Sequence, residues 1–125
     1  MISRDILENI FITALEGGSN YWYILSDKAT KIIRSHVHQN FDPHISTAMF
    51  SAIMDHNAIV PINDAEHPND ILGYLSKDRI DEMLNKLMSD ESYSWALKNE
   101  MSEQGDAESS DIIFQYFVIG GVEFS

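Results

Sequence analysis

Apolar positions along the chain alternate between two periods, and each change of period marks an element. Ile6, Leu7, Ile10, Phe11, Ala14 and Leu15 recur at the i, i+3, i+4 spacing of one helix face. Ser3 stands where a cap is wanted, and Asp5 and Glu8 suit the positive end of the helix dipole. The spacing predicts a helix over 4–16, closed at Gly17-Gly18 by a glycine in the left-handed conformation. Tyr21 to Leu25, dense in β-favouring aromatics, predicts a strand with Tyr21 and Tyr23 on one face and Trp22 on the other.

Helical spacing returns at Ala29, Ile32, Ile33, His36 and Val37, predicting a helix over 28–38. Asp42-Pro43 reads as a cap with proline in the first turn, opening a further helix that carries Ile45, Met49, Phe50 and Ile53. Strands are predicted at 58–62 and 71–75, joined by a long polar hairpin loop from Asn63 to Asp70. Pro61 has no N–H to donate, which places the first of these strands at a sheet edge. Ser76 caps a helix over 77–88 with Ile80, Met83, Leu84, Leu87 and Met88 on its apolar side. Tyr93 to Met101 continues it after a break at Ser89-Asp90. Residues 102–110 read as an exposed loop, and Ser110-Asp111 as the start of a last helix over 111–119. Gly120-Gly121 closes that helix, leaving Val122-Glu123-Phe124 for a short terminal strand. The elements predict one α+β domain spanning 1–125, with several helices packed on one face of a small, mostly antiparallel sheet.

Charge changes the picture more than size does. The chain carries 20 acidic and 8 basic residues, a net charge of −12. Residues 1–62 hold six acids against four bases, whereas residues 63–125 hold fourteen against four. Direct nucleic-acid binding is excluded on that balance, because phosphate contacts need clustered Lys and Arg. An anionic membrane surface is disfavoured for the same reason, and no apolar run approaches the ~18 residues of a spanning helix. The first residues lack the pattern of a secretory signal, so a cytoplasmic setting is expected. The asymmetry points instead to a basic or nucleic-acid-binding protein as partner, met by Asp78, Asp81, Glu82, Asp90 and Glu91. Solubility alone also accounts for such a charge. Oligomeric state is not encoded in any of these patterns.

Catalytic signatures are absent from the sequence. There is no cysteine, no Gly-x-Ser-x-Gly, no Ser-x-x-Lys and no phosphate-cradling glycine loop. His36 and His38 lie about 200° apart on a helix and cannot share an ion there, whereas an extended stretch would put them on one face. His44, His56 and His67 show no ligand spacing either, so no metal and no cofactor is expected, and a non-enzymatic role is favoured.

The most unusual phrase is Ala14-Leu15-Glu16-Gly17-Gly18-Ser19-Asn20-Tyr21-Trp22-Tyr23. Gly17, Gly18, Ser19, Asn20 and Trp22 offer accessible N–H groups, polar contacts and a stacking surface for a small polar or aromatic ligand. A helix end followed by a half-buried strand explains the same residues without a ligand. Together with Asp111-Ile-Ile-Phe-Gln115-Tyr-Phe-Val-Ile-Gly120, the phrase resembles a family of short acidic proteins encoded in bacteriophage and prophage genomes. Leu72-Gly73-Tyr74-Leu75-Ser76 is similar to the middle of that family, and Gly121-Val122-Glu123-Phe124-Ser125 departs from its usual ending. No activity attaches to the family, so the resemblance implies an origin and carries no catalytic residue to this chain. The expected function is an accessory protein that binds another protein. The alternative is a ligand site at the Gly17–Trp22 turn.

Overall fold

The computed structural model describes residues 2–36 and 44–125. In chain order these form α1 (Arg4–Thr13), a π-helical turn (Ala14–Gly18), β1 (Tyr23–Ile24), α2 (Asp27–His36), α3 (Ile45–His56), β2 (Val60–Asp64), β3 (Ile71–Leu75), α4 (Lys77–Met88), α5 (Ser94–Met101) and α6 (Ala107–Ile119). The fold is α+β, as the pattern predicts, with a three-stranded antiparallel sheet ordered β1-β2-β3. α6 is the centre of the molecule, buried without a break from Ser109 to Val118. It packs against α1, α4, α5, β3 and the π turn. Phe11 of α1 meets Phe50 of α3 edge-on at 5.2 Å, and Phe114 and Phe117 of α6 at about 6 Å.

α3, α4 and β3 form where the periodicity puts them, and the caps at Ser3 and Ser76 accept from the N–H groups of Ile6 and Arg79. The cap assigned to Asp42-Pro43 and the end of the 28–38 helix lie outside the described residues.

Five expectations need correction. The first helix does not end on a left-handed glycine: Gly17 has an extended φ of 179° and the chain closes through the π turn. Gly18 is needed for another reason, since a Cβ there would stand 2.8 Å from the Ala107 carbonyl oxygen. The strand over 21–25 shrinks to Tyr23–Ile24 because the Tyr21 and Trp22 side chains are drawn towards α6. Pro61 lies in the central strand, yet β1 covers only Asn63 and Asp64, so β2 has no β1 partner at Pro61. The last helix begins four residues earlier than predicted. Asp106 accepts from the Ser109 N–H at 3.0 Å and the Ser109 hydroxyl accepts from the Asp106 N–H at 2.8 Å, a reciprocal cap inside a segment too polar to read as helix. Fifthly, Val122 to Phe124 form no strand; the Glu123 and Phe124 N–H groups instead donate to the Gln115 side-chain oxygen.

Candidate functional site

Two pieces of the chain some ninety residues apart meet at Asp111, the fifth residue of α6. The residue is 8% exposed, and its carboxylate accepts from four side chains. The Ser19 hydroxyl and the Trp22 indole N–H donate to Oδ1, each at 2.7 Å. The Tyr21 hydroxyl donates to Oδ2 at 2.5 Å and the Gln115 amide at 3.2 Å. Four donors occupy the acceptor positions of the Asp111 carboxylate. Among the described residues no cation pairs with it. Burial and the neighbouring carboxylate push the Tyr21 phenol well above its usual range.

This network explains the unusual phrase from the bottom up. The π turn widens the end of α1, and Gly18 lets the following turn approach the start of α6 closely. Ser19 and Trp22 then point inwards and are 0% and 1% exposed, while Gly17 and Asn20 face solvent. Trp22 stacks on Phe124 at 5.2 Å with the rings nearly parallel. Tyr23 turns back to donate to the Leu15 carbonyl at 2.7 Å, and burial raises its phenol to about 12. Gln115 holds the tail through its side-chain oxygen, so one residue links the turn, α6 and the chain end. A cleft of about 740 Å³ opens beside the network, walled by Tyr21, Tyr93, Glu108, Asp111 and Phe124. Asp111, Gln115, Tyr21 and Tyr93 were not singled out in the sequence as site residues; the Asp111–Gln115 phrase marked two of them.

The acidic residues divide into two groups. Asp78, Asp81 and Glu82 lie at i, i+3 and i+4 on α4 and are exposed, as is Glu91. Asp90 is engaged: it accepts from the Tyr116 hydroxyl and the Ser92 N–H, which hold its carboxyl below the usual range, while burial and Asp90 raise the Tyr116 phenol to about 12. Two of the basic residues on α4 reach the end of α6. Arg79 donates to the carbonyls of Phe117 and Val118, and Lys86 to that of Gly120 at 2.6 Å, meeting the negative end of α6. The Asp81 side of α4 thus carries Asp78, Asp81 and Glu82, with the exposed Lys77 one turn before Asp81.

That side borders a groove of about 710 Å³ between α1, α3, α4 and α5. Leu7, Met54, Leu84, Met88, Leu97 and Met101 line it, with Asp81, Asn85 and Arg4 among them. Arg4 is held there by a two-pronged ion pair with Asp55 at 2.8 and 2.9 Å. Met88 is 48% exposed. A second buried carboxylate, Glu100, accepts from the hydroxyls of Ser109 and Ser110 and takes the space a Gly105 side chain would need. Among the described residues no three His, Asp or Glu side chains are placed to hold a metal ion, and no helix is long and apolar enough to cross a membrane. No protein-family model, curated protein or solved structure matches this chain.

Proposed function

We propose that this chain is a phage- or prophage-type accessory protein of the bacterial cytoplasm that acts without catalysis by binding a basic partner protein. The observation that carries the reading is the methionine-rich groove running along the acidic side of α4. Unbranched, polarisable methionines adapt to differently shaped apolar side chains, which suits them to binding surfaces. Asp81 in the groove wall, with Asp78 and Glu82 beside it, adds a charge that favours Lys or Arg flanking an apolar stripe. An amphipathic basic segment meets both demands. The phage origin rests on the resemblance of the Ala14–Tyr23 and Asp111–Gly120 phrases, and their side chains bond to one another around Asp111.

The test is affinity capture from bacterial host cells with the full chain and with Met88→Glu, which sets a charge in the groove at a half-exposed position. A basic protein retained by the parent and lost by the variant, at unchanged Tm, is the expected result. Retention of the same proteins by both would remove the groove from the interface.

A further inference from the structure

The cleft beside Asp111 shares no lining residue with the α4 groove and makes a different chemical demand. Its wall is mostly apolar, with the rings of Tyr21, Tyr93 and Phe124 on it, and Tyr21 is 47% exposed. Into that apolar wall is set a buried carboxylate with no countercharge among the described residues. An anion held in such surroundings favours a cation brought near it. The aromatic rings favour the same sign, because their faces are negative. Glu108, exposed in the first turn of α6, adds a second carboxylate. The helix N-terminus beside it is already capped by Asp106, which answers its positive end.

What distinguishes this cleft is that the inner charge comes without free acceptors. Ser19, Tyr21, Trp22 and Gln115 take the lone pairs of Asp111. A primary ammonium or a guanidinium brings three or five N–H donors; Asp111 has no acceptor position left for them, and the exposed Glu108 and the Tyr93 hydroxyl can take only part, so the remaining donors would lose their water unpaired. A quaternary ammonium has the charge and no donor to satisfy. We propose that the Tyr21–Tyr93–Phe124 cleft binds a methylated ammonium group, with Asp111 and Glu108 supplying the charge and the rings the contact surface.

The indole N–H of Trp22 donates to Asp111 at 2.7 Å and reports on the cleft, while Trp95, on α5 outside it, serves as the internal control. The full chain is titrated with choline, with its neutral carbon isostere 3,3-dimethyl-1-butanol, and with ethanolamine, following both indole N–H resonances by NMR. Choline is expected to shift the Trp22 signal saturably and leave Trp95 in place, with the isostere at least tenfold weaker and ethanolamine several-fold weaker. Glu108→Gln should weaken choline about threefold and Tyr93→Leu more, each checked for an unchanged Tm. If a variant fails to fold, the ligand comparison on the parent chain still decides. Equal binding of choline and the isostere overturns the proposal, leaving an apolar cleft only. Tighter binding of ethanolamine, or no saturable shift at tens of millimolar choline, overturns it as well.

Discussion

Asp111 shows how a single residue can organise a fold while looking ordinary in sequence. Replacing it by Ala leaves the Trp22 indole N–H and the Ser19 hydroxyl buried without an acceptor, each a loss of about 1–3 kcal/mol. Asp111→Ala is therefore expected to lower stability by roughly 3–5 kcal/mol in urea unfolding, comparable with Trp22→Ala, which opens a cavity in the same place. Because the two side chains share one bond, the double variant should cost clearly less than the two losses added. Additive losses would mean that the Asp111–Trp22 bond contributes little. The tyrosines make a second prediction at this scale. The Tyr23 and Tyr116 phenols sit at about 12, against about 10 in an unfolded chain. Neutral tyrosine is favoured in the fold, so this stability is complete below pH 10 and is lost as pH rises from about 10 to 12. Tyr23→Phe, which loses the bond to the Leu15 carbonyl, should cost about 1 kcal/mol at pH 8. It should also show a smaller fall in Tm between pH 9 and 11 than the parent does. The burial of Trp22 was legible, since a large aromatic amid β-formers packs inwards. The role of Asp111 was not, because an aspartate in an early helical turn has a sufficient local explanation and its partners lie some ninety residues away.

Elements read well where one face alone is buried and poorly where contacts from several sides decide. α4 has a clear apolar stripe and a serine cap, and its bounds follow from sequence to the residue. α6 is buried all round from Ile112 to Val118, so periodicity could not place its start, and the reciprocal Asp106–Ser109 cap did. The π turn after α1 was invisible for a similar reason: Gly17-Gly18 suits a left-handed helix end, and only the demand to bring Ser19 and Trp22 under Asp111 selects the wider turn. Pro61 is tolerated in the central strand because β1 is only two residues long and leaves β2 with a free edge at that point. The contact between β3 and α6 gives the prediction at this scale. A Cβ on Gly73 would stand 1.9 Å from the Val118 carbonyl oxygen, a backbone atom that cannot turn away. Gly73→Ala should force the strand off the helix and cost about 3 kcal/mol or more, seen as a lower urea midpoint. A parent-like midpoint would show that β3 and α6 can separate freely. Gly121→Ala, with open space around its Cβ position, is the matched control.

For the molecule as a whole, the charge asymmetry was legible from the sequence, and its arrangement was not. Of the acids between Asp78 and Asp111, Asp90 and Asp106 serve as local hydrogen-bond acceptors and Asp111 is buried, so they do not form one outer surface with the rest. Arg79 and Lys86, meanwhile, donate to the end of α6, which leaves Asp78, Asp81 and Glu82, with Lys77 beside them, as the exposed charged group. α4 holds three acids and three bases, so its negative field is local to the side that carries these carboxylates. If a basic partner enters along α4, these three carboxylates steer its approach across a distance of about 10 Å at 0.1 M salt. Asp81→Lys with Glu82→Lys should then slow association about tenfold at low ionic strength and change dissociation less, as rim charges generally do. The rate for the parent should fall steeply with added salt, and that of the reversed variant should fall far less. Asp5→Lys with Glu8→Lys on α1 is the control of equal charge change, and its effect should be much smaller, with Tm confirming that α1 survives the reversal at its N-terminal end. Stopped-flow association with the captured partner separates these outcomes. A rate that ignores both salt and the α4 reversal would leave solubility as the reason for the carboxylates, and the groove would then recognise its partner by apolar contact alone.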